Sequence, residues 1–305
     1  MEYSKASYAP EDNLYQVSPV QGELRTRGPL NVGFQVTRRC NLKCVYCSEP
    51  PNLPDMNMQQ IAYAFKNLKK AGVLKINLTG GEALLRKDLR EIVDLSNKMG
   101  FHTAVDSNAT LVTDEMADFL SGKLVYFETT IDGKPETHNR VRGKYDEVLR
   151  GATKIVARNI PLYVAVMVLG KSIDDLKHSL VVANELGASK VKFLSPIPKG
   201  RGKELPDEIL NNDSLLELWG QLCEYVGKTD IKPQITLADW KKIGQGSVII
   251  VNSDGSVVGG PSHGEDNCVT HLGNILEESV ADMWKRYPHK LNHIRKYTGE
   301  TMYIS

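Results

Sequence analysis

Three thiols stand within eight positions of one another. Cys40, Cys44 and Cys47 lie in "TRRCNLKCVYCSEP", residues 37–50, and only Cys223 and Cys268 occur elsewhere in the chain. Thiolates are the usual ligands of iron–sulfur clusters, and four of them normally hold a four-iron cubane. Three leave one iron without a protein ligand, and an open coordination position is what a metal needs to bind a substrate. A structural zinc site is the alternative. It needs a fourth ligand from elsewhere, because no further Cys or His lies nearby in sequence.

The elements around this cluster must place it. Short apolar runs read as strands at 32–36, 74–79, 101–107, 124–131, 162–169 and 190–196, with helical periods between them. In "NMQQIAYAFKNLKKAG", Ile61, Phe65 and Leu68 share one face, Asn57 stands at the cap position and Gly72 at the stop. "DLREIVDLSNKMG" repeats the pattern, with Leu89, Ile92, Val93 and Leu95 inward and Gly100 closing it.

This alternation predicts an α/β fold, a partial (β/α)6 TIM-type barrel. An open doubly wound sheet is the structural alternative. The cysteines directly follow the first strand, which puts them at a strand's carboxyl end, where both folds carry their chemistry.

Three regions are expected: an extension over 1–30, loosely ordered or draped over the body; the barrel over 31–205; and a helix with a small α+β appendage over 206–305. In the last, "DSLLELWGQLCEYVGK" reads as an amphipathic helix, "GSVIIVNSDGSVV" as a hairpin turning at Ser253-Asp254-Gly255, and "ESVADMWKRY" as a closing helix.

Composition removes some classes. The 305 residues carry 38 Lys and Arg against 37 Asp and Glu, so the charge balance gives no general affinity for nucleic acid or a membrane surface. No apolar run reaches the length of a transmembrane span, and no secretory signal is visible at the N-terminus. An odd number of cysteines, three of them crowded, fits a reducing cytoplasm better than a disulfide framework.

The C-x3-C-x2-C spacing, with Tyr46 before the last cysteine, resembles the signature of the radical S-adenosylmethionine (radical SAM) superfamily. The resemblance runs from about residue 33 to 203, and weakly on to 286. It implies that Cys40, Cys44 and Cys47 hold a [4Fe-4S] cluster whose open iron chelates the amino and carboxylate groups of SAM. In that family the reduced cluster cleaves SAM to a 5′-deoxyadenosyl radical, which takes hydrogen from a substrate.

Further segments match the family, and they imply a cofactor-binding set together with Tyr46. "LTGGEALLRKDL" (78–89) is similar to its Gly-Gly-Glu segment: Gly80 and Gly81 allow close backbone approach to a ligand, and Glu82 accepts hydrogen bonds from the methionyl amine. "VDSNATL" (105–111) matches a segment that usually reads Thr-Asn-Gly. Ser107 and Asn108 keep its polar pair, to meet SAM or to satisfy a turn, and Ala109 replaces the glycine.

"TTIDGKPETHNRVRG" (129–143) resembles the Ser-x-Asp-Gly…His…Arg-Gly stretch. Thr130 stands where Ser is commoner, Asp132 and His138 fall near the expected pocket, and Arg142 pairs with the SAM carboxylate or sits in a surface ion pair. "PIPKGRG" (196–202) is similar to a Pro-x-Gly-Arg segment of members that carry a C-terminal SPASM or twitch appendage.

That appendage typically runs from an Asp-Gly hairpin to a Gly-Asn-Ile triplet and a Trp-bearing helix. Asp254-Gly255, Gly273-Asn274-Ile275 and Trp284 match it. A cysteine that usually follows the second hairpin strand is replaced by Gly259-Gly260-Pro261. Cys223 and Cys268 alone do not make the usual four-cysteine set, so one cluster is expected. His263, His271 or a carboxylate are the residues left that could complete a second site.

Without an auxiliary cluster, two-electron oxidation is harder to support than hydrogen return, fragmentation or rearrangement. Cys268 and Cys223 are the candidate hydrogen donors, although Cys223 sits among apolar residues, where a thiol commonly acts as a small hydrophobe.

The resemblance implies a peptide substrate, with a small-molecule metabolite as the alternative. It also implies a flavodoxin or ferredoxin as electron donor, and a separate recognition protein if a peptide must be delivered. A non-catalytic metal-binding partner protein is the reading of another class.

Overall fold

The protein is described here from a computed structural model. It covers residues 27–48, 53–170, 172–196, 198–238, 248–259 and 270–287, and the backbone of three short flanking strands. Two of those flanking strands, β1 (Ala6–Ala9) and β2 (Leu14–Val17), form an antiparallel ribbon. The N-terminal extension therefore carries regular structure that its turn-rich composition did not announce.

The six expected strands are all present: β3 (Asn31–Thr37), β4 (Lys75–Gly80), β5 (His102–Asp106), β6 (Tyr126–Thr130), β7 (Leu162–Met167) and β8 (Lys190–Leu194). They neighbour one another in chain order, and every pair is parallel. A doubly wound sheet reverses its order at a switch point. This one does not reverse, so each crossover winds the same way, as in a barrel.

Two further strands lengthen the parallel run. β9 (Gln234–Ala238) pairs with β8, and β10 (Val248–Val251) pairs with β3, placing Val248 opposite Asn31. The expected hairpin forms between β10 and β11 (Ser256–Gly259), and β12 (Thr270–Asn274) pairs antiparallel with β11. β13 (Met302–Ile304) pairs antiparallel with β9. β9 to β13 are thus hydrogen-bonded into the same sheet as β3 to β8.

Helices cover the outer face. They are α1 (Met58–Lys70), α2 (Leu89–Lys98), α3 (Asp114–Leu120), α4 (Pro135–Val141), α5 (Tyr145–Val156), α6 (Ile173–Glu185), α7 (Asn212–Val226) and α8 (Val280–Arg286). α1 opens with a capping box: the Asn57 side chain accepts the Gln60 N–H at 3.0 Å, and the Gln60 side chain accepts the Asn57 N–H at 2.9 Å. It ends before Gly72, whose φ is +87°.

Ile61, Phe65 and Leu68 of α1 are fully buried against Phe34, Ile76 and Leu78 of the sheet, each side chain contributing about 1.5–3 kcal/mol by burial. Buried Asn67 on the same helix ties down the C-terminal segment. Its amide donates to the Ile275 and Glu278 carbonyls at 3.0 and 2.8 Å and accepts the Val280 N–H at 2.9 Å.

Candidate active site

Because the strands are parallel, their carboxyl ends share one rim. The cysteine loop leaves β3 there, Gly81-Glu82 leave β4, Ser107-Asn108 leave β5, and Thr130 and Asp132 stand at the end of β6. The Gly81 N–H donates to the Thr37 carbonyl and the Glu82 N–H to the Arg39 carbonyl, both at 2.8 Å. A Cβ on Gly80 (φ +140°) would collide with the Thr37 carbonyl, and one on Gly81 with the carbonyls of Arg38 and Arg39. The close approach is to the chain leading into Cys40.

Glu82 is buried, yet its carboxylate is well supplied with donors. Oε1 accepts the Leu84 N–H at 2.8 Å and the Ser107 hydroxyl at 2.7 Å, and Oε2 accepts the Asn108 N–H at 2.7 Å. Burial pushes its pKa up, and these three bonds oppose the shift. Asn108 is itself held by Asn41 of the cysteine loop, its Nδ2 donating to Asn41 Oδ1 at 2.8 Å. Ala109 has φ +62°, the left-handed backbone that a glycine would adopt freely.

A second network lies behind Cys44. The Tyr46 hydroxyl donates to Asp132 Oδ2, and Arg142 Nε donates to both, at 3.0 Å to Tyr46 and 3.2 Å to Asp132. Asp132 Oδ1 accepts the Met167 N–H at 2.8 Å. The Asp132 N–H donates to Nδ1 of buried His138 at 3.1 Å, which leaves the ring proton on Nε2. Burial pushes the Cys44 thiol up, and the Arg142 guanidinium opposes that.

The loop is clamped from two more sides. The Val45 N–H donates to the Val141 carbonyl of α4 at 2.9 Å. From the end of β8, Arg201 Nε donates to the Cys44 carbonyl at 2.8 Å and the Arg201 N–H to the Cys47 carbonyl at 3.0 Å. Gly200 (φ +57°) lets that segment approach, because a Cβ there would meet the Cys47 carbonyl at 2.5 Å.

Three thiols on one rim loop, over a parallel barrel, make the pattern that residues 34–182 match to the model of the Radical SAM superfamily. Residues 34–182 form a radical SAM domain. It is 27% identical over 292 residues to the sporulation killing factor maturation protein SkfB of Bacillus subtilis (strain 168), covering 90% of this chain and 69% of that protein. It is 29% identical over 179 residues to a PqqA peptide cyclase of Ruegeria pomeroyi, 56% of this chain and 48% of that protein. In fold it is similar to Streptococcus suis SuiB, a structure bound to the precursor peptide SuiA, with a TM-score of 0.75 at 13% identity over 88% of this chain and 67% of that one.

The donor set of this radical SAM domain fits an iron–sulfur cluster. Cys40 faces solvent, Cys44 and Cys47 are half-buried, and none of the three is in a disulfide. Among the described residues, no three His, Cys, Asp or Glu side chains are gathered as a single bound ion needs. A cluster takes one thiolate per iron, so its ligands need not meet at a point.

The remaining expected residues fall in different places. Thr130 sits half-buried on the rim. Cys223 lies on α7 and packs against the main core, in the helix layer outside the sheet; burial raises its pKa. His271 is exposed on β12. Cys268 and His263 lie outside the described residues.

Sequence reasoning did not assign the clamp by Arg201 and Gly200, nor the tether by Asn41. The "PIPKGRG" segment was the available signal for the clamp. No helix among the described residues is long and apolar enough to cross a membrane.

Proposed function

We propose that this radical SAM enzyme holds one [4Fe-4S] cluster through Cys40, Cys44 and Cys47 and modifies a ribosomally made peptide. With SAM bound, such a cluster supplies a 5′-deoxyadenosyl radical that takes a hydrogen atom from the substrate. The chain's own residues bind and orient. Glu82 Oε2 accepts a single bond from Asn108, which leaves a lone pair for the SAM ammonium. Arg142 is held by its Nε, so its outer nitrogens are oriented to meet a carboxylate. Ser107 and Asn108 fix Glu82, Tyr46 fixes Arg142, and Thr130 stands at the rim for the ribose.

One observation carries this reading: the three cysteines share a rim loop that β4, α4 and the segment after β8 all hold by hydrogen bonds to its backbone. The peptide substrate is supported by relatives named as a maturation protein and a peptide cyclase. Rearrangement, fragmentation or epimerisation is the expected outcome, with Cys268 as candidate hydrogen donor. A flavodoxin or ferredoxin delivers the electron, and a separate recognition protein presents the peptide.

The test is anaerobic reconstitution, chemical reduction and addition of SAM. The proposal expects 5′-deoxyadenosine, and a mass or stereochemical change in a short peptide encoded beside the gene. Intact SAM would overturn the enzyme assignment. An unmodified peptide beside a modified metabolite would overturn the peptide.

A further inference from the structure

The cysteine loop has two ends, and among the described residues three bridges join them. The chain enters the loop from β3 through residues 36–39 and leaves it through residues 54–56, just before α1. In the first bridge, the Thr37 hydroxyl donates to Asp55 Oδ2 at 2.9 Å, and Arg39 Nη2 donates to the same oxygen at 3.3 Å. In the second, Arg86 Nη1 donates to the Val36 carbonyl at 2.9 Å while Nη2 donates to the Met56 carbonyl at 2.7 Å. The third comes from the turn between β10 and β11. Asn252 Oδ1 accepts from Arg38 Nη2 at 2.9 Å, the Ser253 carbonyl accepts the Met56 N–H at 2.7 Å, and the Ser253 hydroxyl donates to the Pro54 carbonyl at 2.9 Å.

Arg86 brings a charge into the interior. It is 7% exposed, and four hydrogen bonds occupy its guanidinium: the two to carbonyls, and two to Asp88, from Nε at 2.5 Å and Nη2 at 3.0 Å. Asp55 Oδ2 lies 3.8 Å from Nη1. A buried ion pair seldom adds stability over a well-packed apolar replacement, because taking both charges out of water costs about what their attraction returns. What the guanidinium supplies is direction. Its planar fork meets two carbonyls from different chain segments at fixed angles, which an ammonium on a flexible stem does not.

Arg86 also belongs to the turn that carries Glu82. Glu82 is the N-cap and Arg86 the C-cap of the single 3-10 turn Ala83–Leu85. That turn is closed on itself. Glu82 Oε1 accepts the Leu84 N–H, the Glu82 carbonyl accepts the Leu85 N–H at 3.1 Å, and the Ala83 carbonyl accepts the Arg86 N–H at 3.0 Å. Glu82 and Arg86 therefore move together. One end of the turn holds the carboxylate proposed to meet the SAM ammonium, and the other grips both ends of the loop that carries the three cysteines.

We propose that Arg86 is a positioning residue for SAM binding: it locks the cysteine loop to the turn that presents Glu82. The β10–β11 turn braces the same two loop ends from the other neighbour of β3, since β3 lies between β10 and β4. The C-terminal hairpin thereby contributes to the site through hydrogen bonds. This rests on the cluster reading above and adds the part that sets the cluster against Glu82.

The experiment compares the reconstituted wild type with Arg86→Lys, which keeps the charge and loses the fork. SAM affinity is measured by equilibrium dialysis, and the EPR spectrum of the reduced protein is recorded with and without SAM. Arg86→Lys is expected to keep its iron, because the bonds from Arg201 and α4 remain. It is expected to bind SAM at least about ten-fold more weakly and to show a smaller spectral change when SAM is added. Ser253→Ala removes the bond to Pro54 alone, and a loss of about two- to three-fold in SAM affinity is expected. Asn67→Ala loosens the C-terminal segment away from the loop; it is expected to lower Tm and leave SAM affinity and spectrum unchanged. Wild-type affinity and spectrum in Arg86→Lys, or equal losses in Arg86→Lys and Asn67→Ala, overturn the proposal. Should Arg86→Lys fail to fold, Ser253→Ala and Thr37→Val decide, and unchanged SAM affinity in both overturns it. A wild type whose spectrum ignores SAM sinks the cluster reading and this proposal with it, whereas a responsive wild type beside an unaffected Arg86→Lys sinks the proposal alone.

Discussion

The Tyr46 hydroxyl donates to the Asp132 carboxylate 86 positions along the chain, and the same hydroxyl oxygen accepts Arg142 Nε at 3.0 Å. One phenol thereby fixes the cysteine loop to the end of β6 and holds in place the guanidinium that faces the thiols.

Tyr46→Phe deletes the donor and leaves Asp132 with Arg142 and the Met167 N–H. The expected cost is about 1–3 kcal/mol, a fall of several degrees in Tm, together with poorer iron retention. Thermal melts and iron analysis of the reconstituted variant check it; an unchanged Tm would mean that the hydroxyl is not holding the loop.

Gly200 and Gly72 both have positive φ, but their surroundings differ. A Cβ on Gly72 has nothing within 4 Å, whereas one on Gly200 meets the backbone of Cys47 and Ser48. Gly72→Ala should cost about 1 kcal/mol and leave iron content unchanged. Gly200→Ala should cost at least about 2 kcal/mol and release iron. Equal behaviour of the pair in denaturation and iron assays would contradict the clamp.

His138 is held neutral, its pKa lowered from 6.5 to about 4 chiefly by burial. A group lowered in this way contributes stability that is complete above pH 6.5 and is lost as pH falls toward 4. The loss is about 3 kcal/mol in all. Urea unfolding of wild type and His138→Asn across that window should show the wild type falling more steeply, and parallel curves would refute it.

Asn67 joins α1 to the segment that carries α8. Asn67→Ala removes three hydrogen bonds from a buried site; a cost of about 2–4 kcal/mol is expected. Hydrogen exchange should accelerate at Val280–Arg286 well before it does in β4. Uniform acceleration would show that the segment does not open on its own.

Local signals carried far in this chain. The cysteine spacing, the six strand–helix repeats and the Asn57 cap are each written within a few residues of sequence, and periodicity reads such features well. What stayed hidden is non-local. Nothing in "VIIV" announces that β10 lies beside β3, and "QITLA" is a short strand following Lys232-Pro233. The hydrogen bond from Arg201 to Cys44 spans 157 positions.

Gly80 and Gly81 also stand against the carbonyls of Thr37, Arg38 and Arg39, a contact with another strand's exit that two adjacent glycines do not announce.

The most direct test of the central claim is a Mössbauer spectrum of anaerobically reconstituted protein, recorded before and after SAM is added. The account predicts a cubane of about four irons per chain, lost in each of Cys40→Ala, Cys44→Ala and Cys47→Ala, in which one iron alone changes its signal when SAM binds. A cubane whose irons all ignore SAM, or a preparation that takes up zinc in its place, would contradict it.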